Sequence, residues 1–201
     1  MKNHGGKLKI WETAALLALS LSLCAGAWAQ GRQNSISGNL VRLHVIAASD
    51  EQAEQELKLR VRDEVLRYLD PALQGAESAE EAREIIGASL EKIAGAAEKV
   101  SEGRSVTVSL SRERYPTRRY QGFTLPAGCY ESLRVVLGEG EGKNWWCVVF
   151  PPLCLSAAGV EQAEKAMSRE DFAIVTESEG YELRFRLVEL WGELSAALQG
   201  K

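Results

Sequence analysis

The spacing of apolar residues changes several times along the chain, and each change marks an element. Leu40 to Ala47 is a β-branched-rich run of strand length. It ends at Ser49-Asp-Glu-Gln52, where Ser49 and Gln52 have the spacing of a capping box, so a helix is predicted to start there. Ala53, Leu57, Val61, Val65, Leu66 and Leu69 carry that helix to Pro71. A second box, Ser78 to Glu81, opens another helix whose stripe is Ala82, Ile85, Ile86, Leu90, Ile93 and Ala97, ending near Gly103. From Ser105 the period falls to two: Val106, Val108 and Leu110 alternate with Thr107, Ser109 and Ser111. Further strands are predicted over residues 118–124, 130–138 and 144–150, the last two joined by the loop Gly138-Glu-Gly-Glu-Gly-Lys143. The run Asn144 to Phe150 is apolar on both faces, which places it centrally or under cover on both sides, and Pro151-Pro152 ends it. Beyond it come a moderate helix over 157–167, a short extended piece over 172–176 and a strong helix over 181–198. Helices and strands in these proportions predict a two-layer α+β domain: a mixed, mostly antiparallel sheet of four to five strands in a meander, a helix pair before it and a helix after it.

Composition narrows the class. With 24 Lys+Arg against 28 Asp+Glu among 201 residues, the chain has no basic field, so nucleic acid is not an expected partner. Its N-terminus has basic residues up to Lys9, an apolar stretch Ala14 to Cys24, and the small residues Ala25-Gly-Ala-Trp-Ala29. That order is an export signal over residues 1–29 with cleavage expected after Ala29, since ~11 apolar residues are too few to span a bilayer. Polar, Gly/Ser-rich residues 30–38 read as a flexible linker, which leaves 39–198 as one domain. Of four cysteines, Cys24 would leave with the signal. Cys147 and Cys154 flank Pro151-Pro152 closely enough for a disulfide, which would leave Cys129 unpaired; the alternative is three buried thiols.

Chemistry-bearing constellations are sparse. His44, the one histidine after the signal, would be the base of a secreted cysteine hydrolase using Cys147 or Cys154, with Asp50 or Asp63 orienting it. Neither cysteine has the flanking cation or helix N-terminus that lowers a thiol pKa, and the bland reading of His44 is a hydrogen-bonded strand residue. Cysteines and His44 lack a short Cys-x-x-Cys pair, so no metal site is expected, and the acidic Gly138–Gly142 loop is ill suited to phosphate. No cofactor or small-molecule substrate is expected. Trp145-Trp146 is the least ordinary feature: in a strand the two indoles face opposite ways, so one is core and the other a candidate partner contact. Ser49 and Asp50, at the predicted helix start, are the polar candidates beside it.

Several strings together resemble one family. Leu43-His-Val-Ile-Ala-Ala-Ser-Asp50, Leu57-Lys-Leu-Arg-Val-Arg-Asp63, Leu125-Pro-Ala-Gly128, Leu133-Arg-Val-Val136 and Gly142-Lys-Asn-Trp-Trp-Cys-Val-Val-Phe-Pro-Pro-Leu-Cys154 are similar to stage II sporulation protein R, over about residues 40–195. The resemblance implies a non-enzymatic signal of endospore formation, exported from the forespore into the space between forespore and mother cell. There it would activate a membrane-embedded aspartic protease that removes the pro-sequence of the mother-cell sigma factor, sigma E. Two positions depart from the family pattern: Ala48 stands where the family has Asn, and Cys129 has no family counterpart.

Overall fold

The structure is a computed structural model and describes residues 9–120, 123–153, 164, 165 and 167–176. Its elements in chain order are α1 (Ile10–Gly38), β1 (Val41–Ile46), α2 (Gln52–Leu73), α3 (Ala79–Ala88), α4 (Leu90–Glu98), β2 (Val106–Tyr115), β3 (Arg118–Tyr120), β4 (Phe123–Leu125), β5 (Gly128–Leu137), β6 (Asn144–Phe150) and α5 (Arg169–Thr176). A four-stranded sheet runs in the order β2-β5-β1-β6, and β3 and β4 form a separate hairpin. This is the expected α+β class.

The sheet is mixed because β1 lies between β5 and β6, parallel to the first and antiparallel to the second. A simple meander would have paired β5 with β6. The short Gly138–Lys143 loop instead carries the chain over the end of β1, where two backbone hydrogen bonds hold it and only a glycine fits at 142. Gly142 N–H donates to Ala47 O at 2.9 Å, Glu141 N–H donates to Ala48 O at 3.3 Å, and a Cβ on Gly142 would stand 2.3 Å from Ser49 O. Among the described strands β6 is outermost, not central, although both its faces are covered.

Alternation divides the sheet into two faces. Leu43, Val45, Leu133, Val135, Leu137, Cys147 and Val149 pack against Leu57, Val61, Val65 and Leu69 of α2, Ala82 and Ile86 of α3 and Ile93 of α4. The opposite face holds a second core, in which Tyr115, Tyr130 and Val148 meet Ile36 of α1, Phe123 and Leu125 of β4, and Ile174 and Val175 of α5.

Several boundaries differ from the sequence expectation. The 30–38 stretch is no flexible linker: it is the last third of α1, with Gln33, Ile36 and Ser37 buried and Ile36 in the second core. Burial of Ile36 in the second core, with Gln33 and Ser37 beside it and Arg32 and Ser35 bonded to Asp171, outweighs the unfavourable propensity of Gly31, Ser35 and Ser37. The α2 N-cap is Glu51; Ser49 Oγ accepts from Glu51 N–H at 3.3 Å, and the Gln52 side chain donates to Glu56 instead of closing a box. The expected single helix over 78–102 breaks at Ser89, whose φ of −111° and ψ of 5° separate α3 from α4. Residues 118–124 turn back on themselves as β3 and β4, and residues 172–176 are helical, because Ser168 Oγ caps α5 through Asp171 N–H at 3.1 Å. The helix expected over 181–198 lies outside the described residues.

Candidate partner-binding site

β6 sets the two tryptophans on opposite faces, as alternation requires: Trp145 aligns with Val45 and Trp146 with His44. Both are half-buried, and each lies under an arginine. Arg62 of α2 stands 4.7 Å from the Trp145 ring centroid, and Trp145 packs on the main core. Arg118 of β3 stands 3.7 Å from the Trp146 centroid on one side, while His44 stacks at 5.5 Å. Neither indole is wholly core and neither is bare; each is an aromatic platform with a cation over its ring.

Around Trp146 the outer sheet face is polar. His44 Nδ1 lies 3.1 Å from Glu113 Oε2, and His44 Nε2 lies 2.8 Å from Asn144 Oδ1. Arg134 Nε adds a 3.4 Å ion pair to Glu113. Two of the groups on this face, Ser109 and Ser111, align with Arg134 and Ser132 across β2 and β5. Cys147 is on the other face, aligned with Leu43, buried and disulfide-bonded, so it makes no dyad with His44. Asp63 pairs with Arg62 and Asp50 accepts from Lys143 N–H, so neither orients His44, whose ring partners are Glu113 and Asn144. Cys154 lies outside the described residues, and Cys24 and Cys129 are free thiols. Among the described residues no group of three or more His, Cys, Asp and Glu is placed to hold a metal ion.

Ser49 and Asp50 sit at the end of the sheet where β1 finishes. Asp50 Oδ1 accepts from Lys143 N–H at 2.7 Å and thereby pins the loop before β6. Below it Lys58 is buried, with Nζ donating to Gln55 Oε1 at 2.6 Å and to Lys143 O at 2.9 Å. Burial pulls the Lys58 pKa down, against the opposing charge of Asp50. Thus Asp50 and Lys58 of one segment, and Lys143 to Trp145 of another, form a single corner.

One arrangement was invisible in the sequence. Arg42 of β1 is fully buried, its guanidinium 3.8 Å from the Tyr115 ring centroid and 4.9 Å from that of Tyr130, and its Nη2 donates to Tyr120 Oη at 2.5 Å. Burial raises the pKa of all three phenols, and the nearby Arg42 charge opposes the rise. The only trace in the sequence was a charged residue in the β-branched-rich run Leu40 to Ala47.

Comparison with known proteins gives the family. Residues 37–159 match the family described as stage II sporulation protein R. The protein of that name from Bacillus subtilis strain 168 is 33% identical over 185 residues, covering 79% of this chain and 83% of the relative. No solved structure matches. The matched region runs from the end of α1 through the sheet and contains the whole corner and both tryptophans, so the chain belongs to the stage II sporulation protein R family and has a role in sporulation.

Proposed function

We propose that this protein is the exported signal that activates a membrane-embedded aspartic protease, which then removes the pro-sequence of the mother-cell sigma E precursor. The observation that supports the reading most is family membership across the entire sheet. Its apolar N-terminal helix is compatible with export from the forespore into the space between the two membranes. The domain would act by binding, through the Trp146 face and the Ser49-Asp50 corner. A cysteine hydrolase built on Cys147 and His44 is disfavoured, because those residues occupy opposite sheet faces and Cys147 is already oxidised. We further infer that Cys147 is bridged to Cys154, seven positions on in the sequence; peptide mapping without reduction should yield the 147–154 cross-link with Cys129 alkylated, whereas a Cys147–Cys129 peptide would refute it.

The test compares Trp145→Ala and Trp146→Ala in a spore former that lacks its own family member. Each loses a half-buried indole, at about 2–4 kcal/mol, and should lower the melting temperature. Trp145→Ala, once folded at permissive temperature, should still support precursor processing, since its ring faces α2. Trp146→Ala should not. Equal processing by two folded variants would remove Trp146 from the mechanism.

A further inference from the structure

We propose that α1 remains on the exported chain as a transmembrane arm: its first part, about five turns from Ile10 through Trp28, crosses a lipid bilayer, and its remainder is built into the domain. Within this one helix the two halves have opposite surroundings. Ile10, Leu16, Leu17, Leu19, Leu21 and Leu23 are exposed, an apolar surface that water would not tolerate around a whole helix. Gly26, Ala29, Gln33, Ile36 and Ser37 are buried at helical spacing. In the second half Arg32 pairs with Glu170 and Asp171, Ser35 Oγ donates to Asp171 Oδ2 at 2.6 Å, and Gln33 lies against Gly128.

The first half fits a bilayer in length, ends and polar content. From Ile10 to Trp28 is ~19 residues, or roughly 28 Å of helix, against a hydrocarbon core of ~30 Å. Trp11 and Trp28, 65% and 39% exposed, stand at the two ends, where indoles favour the water interface. Within the span the hydroxyls of Thr13, Ser20 and Ser22 each donate to a carbonyl one turn back, at 2.7–2.8 Å, so no hydroxyl needs water. Glu12, the one charge between the tryptophans, is beside Trp11 and accepts from Lys9 N–H at 2.8 Å. Lys2, Lys7 and Lys9 precede the span and only Arg32 follows within ten residues, which orients the domain away from the cytoplasm.

The same helix argues against removal at Ala29. The Ala29–Gln30 bond lies in mid-helix between the buried residues Gly26 and Gln33, where a protease finds no extended segment. Because Gln33 touches the first residue of β5, the arm leaves the domain at the end where β1 and β5 begin. The Ser49-Asp50 corner is at the opposite end of β1.

Cys24, exposed on the span, is the probe. The full chain carrying Cys129→Ser is expressed in an exporting bacterial host, and its membranes are washed with alkaline carbonate. We expect a carbonate-resistant protein of full-length mass, in which a polar maleimide alkylates Cys24 roughly tenfold or more slowly than after dissolution in SDS, because a thiol in hydrocarbon does not ionise. A released species beginning at Gln30, a soluble full-length chain, or equal labelling before and after SDS would each overturn the proposal. None of these readouts depends on the protease, so failure here is distinct from failure of the proposed activation.

Discussion

A single charged side chain sets the character of the second core. Arg42 has no carboxylate partner among the described residues; its charge is met by the faces of Tyr115 and Tyr130 and by the Tyr120 hydroxyl, and its Nε and Nη1 are unbonded. The phenols are tied down as well, with Tyr130 Oη donating to Pro126 O and sharing the cage with Tyr115, which bonds Ser132 Oγ, both at 2.6 Å. Desolvation lifts the Tyr115 and Tyr130 pKa values in the folded state, so above pH ~10 the unfolded chain releases protons that the folded one keeps. Stability is therefore intact below that pH and falls as pH rises beyond it. Tyrosinate absorbance should rise together with loss of near-ultraviolet circular dichroism, and Tyr115→Phe should move the joint transition to higher pH; tyrosinate appearing well before unfolding would contradict this. Beyond a charge inside an apolar run, none of it was legible in the sequence, because Arg42, Tyr115 and Tyr130 are brought together by the pairing of β5 with both β1 and β2, which the periodicity within a single strand does not reveal.

At the scale of elements, the two sheet faces and the helices over the main core were legible, because Val106, Val108 and Leu110 keep strict alternation and α2 keeps a continuous stripe. The order of the strands was not. That order depends on β1 passing between β5 and β6, and the loop that permits it is held by Asp50 and by close backbone approach at Gly142. A Cβ there would lie 2.3 Å from Ser49 O, a backbone atom with no rotamer to escape into. Gly142→Ala should cost about 1–3 kcal/mol and free the Lys143 amide from Asp50. Denaturant melts and amide exchange at Lys143 would read the two effects; an unchanged melt with a protected Lys143 amide would show that the corner is not held this way. Ser49 and Asp50 were visible as polar residues after a strand, but their work is first internal: Asp50 fixes the loop that presents Trp145 and Trp146, and Ser49 Oγ accepts from Glu51 N–H at the start of α2. Residues 30–38 misled for a related reason: their polar composition hides the buried spacing of Gln33, Ile36 and Ser37, and the groups that hold the segment are distant in sequence, Gly128 of β5 against Gln33 and Asp171 of α5 bonded to Arg32 and Ser35.

For the whole molecule, the strings that identify the family are the ones the fold gathers. His44 and Asp50 of β1 and its exit, Lys58 and Arg62 of α2, and Lys143 to Trp146 of β6 share one end of the sheet, linked by 2.7–2.9 Å hydrogen bonds and by the Arg62–Trp145 contact. Among the described residues His44 is bonded to Glu113 and Asn144, and Cys147 lies on the opposite sheet face. This surface should act in a stoichiometric complex on the protease. The most direct test is co-expression of the full chain, the membrane-embedded protease and the sigma E precursor in a bacterium that does not sporulate, with the precursor followed by its change in size. Shortened sigma factor is expected only when all three are present, with loss of shortening when the protease's catalytic aspartate is replaced. Equal shortening with and without this chain, or shortening by this chain in the absence of the protease, would contradict the proposed activation.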